Sequence, residues 1–373
     1  MPEALVVGGG IIGLLIAREL RSAGRSVALL DRDRPGREAS WASAGIVGAR
    51  APWAHSATGR LQTLSAELWP RLAQELRDET GMDVEYRQTG ALHPALSDDQ
   101  AERMRFETAA ARRAGLAFEF VEGTALREAE PALGPAVVAA QLGPGGNVEN
   151  RRAVRALELA CRRAGVEIRS GAPVLEVTSR DGKASGVRTL DGEEQGADVV
   201  VLAAGSWSGQ VRGVDPPVPV VPQRGQILAL RSGDVFLRRT VLKEADPYLV
   251  PRADGRIVVG ATREFVGYDR RLTAGGIAWL LGSAIELVPA FAGAEIVEMW
   301  TGFRPVSADG LPIVGASAIE GLYYATGHGP SGVGPAPGTA ALLAALVLGR
   351  EPPIPPEAFS PLRFGALQAQ RRG

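Results

Sequence analysis

The chain has 373 residues, with 41 Lys plus Arg against 42 Asp plus Glu, a formal net charge of -1 and a single cysteine. That length can bury a large core and fits two domains, while the balanced charge gives none of the basic field that nucleic-acid binding needs. Cys161 alone excludes an internal disulfide, a CxxC redox pair and a cysteine zinc site. His55, His93 and His328 lack HxxxH-like spacing, and no apolar run reaches the ~18 residues of a membrane span, so neither metal nor membrane is expected and a reduced cytoplasm fits.

Residues 4–32 read ALVVGGGIIGLLIARELRSAGRSVALLDR: a strand, a glycine turn, a helix, a second strand and an acid. Gly8, Gly10 and Gly13 form GxGxxG. The first takes the tight turn, the second lets a pyrophosphate approach the backbone, and the third lets the helix pack on the sheet. Ile12, Leu15, Ile16 and Leu20 make an apolar stripe at helical spacing. Strand 26–30 then delivers Asp31 near the ~20-residue distance expected of an acid that binds a ribose hydroxyl. An ADP-containing dinucleotide follows. A signal-peptide reading of the same apolar run fails because no Lys or Arg precedes it, and a purely structural glycine turn leaves Asp31 unexplained.

The next stretch, rich in Gly, Ser and Ala, can offer backbone amides and the hydroxyls of Ser40 and Ser43 to a phosphate or flavin edge, or serve as a linker. Leu61, Leu64, Leu68 and Leu72 predict an amphipathic helix over 58–81, kinked or broken at Pro70. Ser97 and Gln100 make a capping-box start for a helix running to about residue 114. These helices do not continue a βαβ pattern, so the chain is expected to leave the dinucleotide domain near residue 50 and return near residue 147.

A helix over 151–164 follows, then strands 166–169 and 173–178, and a hairpin-like pair formed by 186–190 and 197–203. The apolar run ADVVVLAAG ending in SWS suggests a buried strand opening into a ligand crevice, or a plain core strand. From 216 to about 302, the runs VVPQRGQILAL, PYLVPRADGRIVVGAT and EIVEMWTGF predict an antiparallel sheet interrupted by a helix over 274–288. This region holds Tyr248, Arg252 and Arg263, with Arg304 just beyond.

Gly327, Gly329 and Gly332 match GxGxxG again, and a helix over 339–348 follows, but no further strand with a ribose acid does. An enzyme moving hydride between NAD(P) and flavin at separate sites needs two complete dinucleotide folds. One complete fold plus a glycine-rich helix start fits a flavin, whose reduced ring gains negative charge that a helix N-terminus stabilises.

The motifs VVGGGIIGLLIARELRSAG, SWASAGIVGA, GAPVLEV with ADVVVLAAGSWSG, PYLVPRADGRIVVGAT, and GFRPVSADGLPIVG with ATGHGPSG recur in the order and spacing of the D-amino acid oxidase family of flavoproteins. The chain resembles that family over nearly its whole length, and within it the glycine oxidases of thiamine biosynthesis. The resemblance implies an α/β plus α+β fold: a Rossmann-like FAD-binding domain (1–50, 145–212 and 303–349) with an inserted antiparallel-sheet substrate domain (51–144 and 213–302) and a C-terminal tail (350–373). It implies non-covalent FAD, held by the glycine turn with Ile11 and Ile12, by Asp31 and Arg32, and by Ala39, Ser40, Ser43, Ala44, Gly45 and Val174. The backbone of His328, Gly329, Pro330, Ser331, Gly332, Val333 and Gly334 is expected near the isoalloxazine.

It further implies that Arg304 clamps a substrate carboxylate while Tyr248 donates its hydroxyl, with Gly48 and Arg263 close by. A planar guanidinium matches both carboxylate oxygens, which favours Arg in this role; a salt bridge for Arg304 and a core position for Tyr248 are the plain alternatives. Where glycine oxidases commonly carry a second arginine, this chain has Pro330, and Arg263 is a candidate replacement, a selector of polar or acidic side chains, or a solvated arginine beside Glu264. The implied reaction oxidises glycine, sarcosine or small D-amino acids with dioxygen, without a side-chain base. A dehydrogenase using another electron acceptor and a tRNA-modifying flavoprotein are the rivals, and the oligomeric state, including a homo-oligomer, stays open.

Overall fold

The computed structural model describes residues 1–48, 56–233, 235–243 and 247–365. The strand Ala4–Val7 is fully buried and lies at the centre of a six-stranded sheet. It pairs in parallel with Val27–Leu30 on one side and Val199–Leu202 on the other, Val6 standing opposite Leu29 and Val201. Glu167–Arg169 extends one edge, and Leu322–Thr326 with the antiparallel Ile313–Ala316 the other. The three central strands, Ala4–Val7, Val27–Leu30 and Val199–Leu202, are apolar at every position, which suits a sheet covered on both faces.

One face carries helices. Ile11–Ser22, Ala57–Thr80, Asn150–Arg163 and Ala336–Val347 share a core with Val6, Leu29 and Val201. The other face, with Leu5, Leu30 and Leu202, is covered by Val177 and Val187 of a three-stranded antiparallel sheet built from Val174–Arg180, Lys183–Thr189 and Glu194–Gly196.

Three expectations change here. The helix after residue 56 does not leave the dinucleotide unit: Leu61, Trp69, Leu72 and Leu76 pack in the core that holds Leu14 and Leu15, so its apolar stripe is answered by the first helix. It also runs through Pro70 unbroken, with that residue exposed and Gly81 ending it in the left-handed region at φ 75°. The expected hairpin of 186–190 with 197–203 is replaced. Lys183–Thr189 pairs with Val174–Arg180 and Glu194–Gly196, while Val199–Leu202, apolar throughout, enters the central parallel sheet. Finally, residues 350–365, set apart above as a C-terminal tail, pack on the parallel-sheet unit: Phe359 is fully buried against the helical core and Phe364 packs on the other face. The proposed boundary between residues 50 and 51 and the last eight residues lie outside the described residues.

The second unit is an eight-stranded sheet, and the predicted antiparallel strands are its backbone. Val220–Arg231 pairs with Glu295–Ser307 and with Arg256–Gly260, which pairs in turn with Tyr248–Pro251. Thr240–Leu242, Ala91–Ala95, Ala139–Gly143 and Glu119–Glu122 complete it. Leu228, Leu249 and Val259 meet Leu280, Ala284 and Leu287 of the helix Ala274–Leu287, whose cap is the Thr273 hydroxyl accepting from the Gly276 amide. The helix Asp98–Arg113 starts at Ser97, whose hydroxyl accepts from the Gln100 amide at 3.2 Å. The Gln100 side chain reaches back to the Leu96 amide at 2.7 Å, so the capping signature is met one residue further out.

Candidate active site

A cavity of about 1110 Å³ runs between the two sheets, beyond the ~300–1,000 Å³ of pockets for drug-sized ligands. One end is built by the glycine turn. Gly8 adopts φ +106°, and a Cβ there would fall 2.4 Å from the Ala203 carbonyl oxygen; a Cβ on Gly13 would fall 1.9 Å from that of Gly8. Gly8 and Gly10 therefore line the cavity, whereas Gly13 does not: it lets the helix cross the turn. The helix Ile11–Ser22 has no side-chain cap and no acid in its first turn, and among its leading amides that of Ile11 donates to the Ser40 hydroxyl at 3.0 Å. A helix N-terminus open to a cavity accepts an anionic group.

The Asp31 carboxylate takes the Gly9 amide at 2.6 Å and the Asp33 amide at 2.9 Å, which pins it at the mouth of the turn. Arg32 lies over the Trp207 ring at 3.8 Å. Ile12, Ala39, Ser40, Ser43, Ala44, Gly45, Gly48 and Val174 all line this cavity with Ile11, Asp31 and Arg32.

The other end is formed by the sheet unit and the second glycine-rich loop. The Arg304 guanidinium donates to the Thr262 carbonyl at 2.8 Å and lies flat on Gly225, where a Cβ would sit 2.9–3.0 Å from its nitrogens and central carbon. Arg304 and Gln223 are opposed in the long strand pair, which fixes the rigid base from which the side chain reaches the cavity. The Tyr248 ring lies against Gly260, whose absent Cβ leaves room for the phenol oxygen. Arg263, exposed, lines the same end; its neighbour Glu264 accepts from Gln226 at 2.8 Å and pairs with the buried Arg224.

His328, Gly329, Pro330, Ser331, Gly332, Val333 and Gly334 close this end ahead of the helix Ala336–Val347. His328 is buried, with Nε2 at 3.0 Å from the Thr339 hydroxyl, and burial pushes its imidazole down to about 4, so it is neutral at physiological pH and ties the loop to the helix.

The cavity thus joins a dinucleotide cradle, with open amides and a fixed acid, to a cationic end, which fits a flavin dinucleotide and a small anionic substrate. Residues 3–346 match the DAO family model, described as FAD dependent oxidoreductase. The chain belongs to this family. It is 39% identical to the glycine oxidase of Pseudomonas aeruginosa and 38% identical to that of Pseudomonas putida, in each case over 96% of this chain and 98% of the relative. It is 32% identical to a D-amino acid dehydrogenase of Methylobacterium nodulans over 97% of this chain and 99% of the relative. The crystal structure of glycine oxidase from Geobacillus kaustophilus superposes with a TM-score of 0.90 at 31% identity, covering 96% of this chain and 98% of that one. The chain is an FAD-dependent oxidoreductase of the glycine oxidase and D-amino acid oxidase type, and no helix among the described residues is long and apolar enough to cross a membrane.

Sequence reasoning brought all but one of its site residues to the cavity wall, Gly13 being the exception. It did not name Trp207, Gln210 or Phe303 as lining residues: the first two lie in the turn Gly205–Gln210, whose SWS the sequence placed at a crevice, and Phe303 lies within the strand Glu295–Ser307, where nothing local marks it. Arg252, singled out with Tyr248 and Arg263, does not line the cavity. It is buried, with its guanidinium donating to the carbonyls of Ala44 at 2.9 Å and Val148 at 2.8 Å. Cys161 is buried against the Leu14 carbonyl, its thiol pushed up to about 12 by burial, and lies off the cavity.

Proposed function

We propose that the chain catalyses oxidative deamination of glycine, sarcosine or small D-amino acids, with Arg304 and Tyr248 binding the substrate carboxylate. The observation that carries this reading is the Arg304 guanidinium, already oriented by the Thr262 carbonyl and the face of Gly225, in the same cavity as the dinucleotide cradle. The glycine turn, Asp31 and the segment 39–45 would hold the ADP half of non-covalent FAD, and the loop 328–334 its ring. When bound, FAD would supply the acceptor for the hydride leaving Cα and the route by which the electrons reach dioxygen as hydrogen peroxide.

Arg304 offers two parallel donors to the carboxylate, and the Tyr248 hydroxyl donates to the same group. Fixing the carboxylate turns the Cα hydrogen in one direction, so the chain contributes orientation more than acid–base chemistry. The substrate binds with its amine neutral. Its nitrogen lone pair forms the C=N bond as the hydride leaves, and the proton on nitrogen passes to water. Hydrolysis of the imino acid gives the oxo acid and ammonia, or an amine from sarcosine. His328 is buried, and its Nε2 already faces Thr339, which suits a loop anchor rather than a base. Pro330 offers neither charge nor backbone donor, so Arg263 supplies a second positive group at this end and favours polar or acidic side chains.

The test is peroxide release by the yellow, FAD-loaded protein in air, from glycine, sarcosine and a panel of D-amino acids. Peroxide in step with oxo acid supports the oxidase. The D-amino acid dehydrogenase relative favours the second reading, in which oxo acid forms only when a quinone or another electron acceptor is added. The same panel with Arg263→Met should shift selectivity away from acidic side chains, and unchanged selectivity removes that role.

A further inference from the structure

The segment 38–45 lines the cavity through Ala39, Ser40, Ser43 and Gly45, yet the carbonyls of Ser40, Trp41, Ala42 and Ala44 each accept from a side chain that does not line the cavity. Asn150 Nδ2 donates to the carbonyls of Ser40 at 2.8 Å and Trp41 at 2.9 Å. Trp300 Nε1 donates to that of Ala42 at 2.9 Å, and Arg252 Nη2 to that of Ala44 at 2.9 Å. At the start of the segment, the Glu38 carboxylate accepts from Arg270 at 2.7 and 2.8 Å.

Asn150 begins a helix packed on the parallel sheet, whereas Arg252, Arg270 and Trp300 all belong to the eight-stranded-sheet unit. Arg252 and Trp300 are buried, at 7% and 8% exposure, and neither touches the cavity. Arg252 is itself fixed by Glu149 at 3.3 Å, by the Asn150 side chain at 2.9 Å and by the Val148 carbonyl at 2.8 Å. A buried carbonyl deprived of its donor must find water or move, and moving these carbonyls moves the cavity wall.

We propose that Trp300 and Arg252 are positioning residues for FAD: the sheet unit, from behind, sets the conformation of the segment that the parallel-sheet unit presents to the cofactor. FAD binding and docking of the two units are then linked equilibria, each strengthening the other. A ligand to the cradle tightens the seam between the units, and a weakened seam loosens the cofactor.

The variant Trp300→Phe keeps an aromatic ring beside Trp41, whose ring is 6.1 Å away at 70°, and under Arg151 at 4.6 Å, while removing one donor. Its Kd for FAD, read from quenching of flavin fluorescence on the apoprotein, should rise about three- to tenfold, as loss of one buried hydrogen bond implies. Arg252→Lys cannot reach all its partners and should raise Kd more than Trp300→Phe, with a changed shape of the visible flavin band. Arg105→Ala, which removes an exposed pair with Glu122 in the same unit, should leave Kd unchanged. If Arg252→Lys does not fold, Trp300→Phe decides. A Kd for Trp300→Phe within 1.5-fold of the parent, with apoprotein and holoprotein Tm lowered equally, makes Trp300 a packing residue and overturns the proposal.

Discussion

The two glycine-rich turns of this chain match the same pattern, leave strands of the same sheet and enter helices at the same cavity, yet they are built differently. In the first, Gly13 is forced by contact: a Cβ would lie 1.9 Å from the Gly8 carbonyl oxygen. In the second, a Cβ on the corresponding Gly332 would lie 3.8 Å from the His328 Cβ, an ordinary contact. The first turn leads through a helix to a strand ending in Asp31, which reaches back to the Gly9 amide. The second leads through Ala336–Val347 to the turn Glu357–Phe359, and the loop is held instead by buried His328 against Thr339. A strand–turn–helix–strand unit that closes on itself makes a dinucleotide cradle. In the proposed function, the turn open to the partner sheet is the one that receives the flavin ring and the substrate.

The largest expected effect lies at the open end. Arg304→Ala should lower kcat/KM for the best amino acid by about thirty- to a thousand-fold, since a lost charge-assisted pair costs roughly 2–4 kcal/mol, while FAD content stays near one per chain; steady-state kinetics with a flavin spectrum checks both. At the closed end, Gly13→Ala drives a methyl into backbone and should destabilise by about 2–3 kcal/mol, read as a lower Tm and weaker FAD binding.

The third prediction concerns what holds the second loop. The buried His328 has its imidazole depressed to about 4 against 6.5 for the unfolded chain, so the unfolded state binds the extra proton between these values. Its contribution is complete above pH 6.5 and is lost as pH falls toward 4, by up to about 3 kcal/mol. Urea unfolding of His328→Gln should therefore show a shallower loss of stability between pH 6.5 and 4.5 than the parent, and parallel curves would remove His328 as an acid-sensitive anchor. The smallest effect is the counterpart of Gly13: Gly332→Ala meets no clash and should shift Tm by less than about 1 °C, a change within ~0.5 kcal/mol.

Where local spacing carries the information, the sequence was legible. The strand Ala4–Val7, the helix behind Gly10 and Asp31 follow from period and turn chemistry alone, as do the antiparallel strands about Val220–Arg231. Long-range choices were not. The stripe of Leu61, Leu64, Leu68 and Leu72 fits any apolar partner, and only the folded chain shows that Leu61 and Leu72, with Trp69 and Leu76, pack in the core of the first helix. Residues 199–202 and 186–189 both read as strands, but pairing depends on burial of both faces, which sends Val199–Leu202 to the central sheet. Tyr248, Arg263 and Arg304 were placed by resemblance, and the structure adds the physical reasons, Gly260 and Gly225, that leave room for two of them. Arg252 looked equivalent by residue type. It differs in being surrounded by carbonyls and Glu149, so its charge is spent inside the seam.

The account stands or falls on one cavity holding a flavin and, beside its ring, a carboxylate on Arg304. Titrating the FAD-loaded protein with a carboxylate that cannot be oxidised, such as acetate, and following the visible flavin band tests this directly. The parent should give a saturable spectral shift that Arg304→Ala loses or weakens by about thirtyfold or more, with its FAD still bound. An equal Kd for the carboxylate in both proteins would contradict the account.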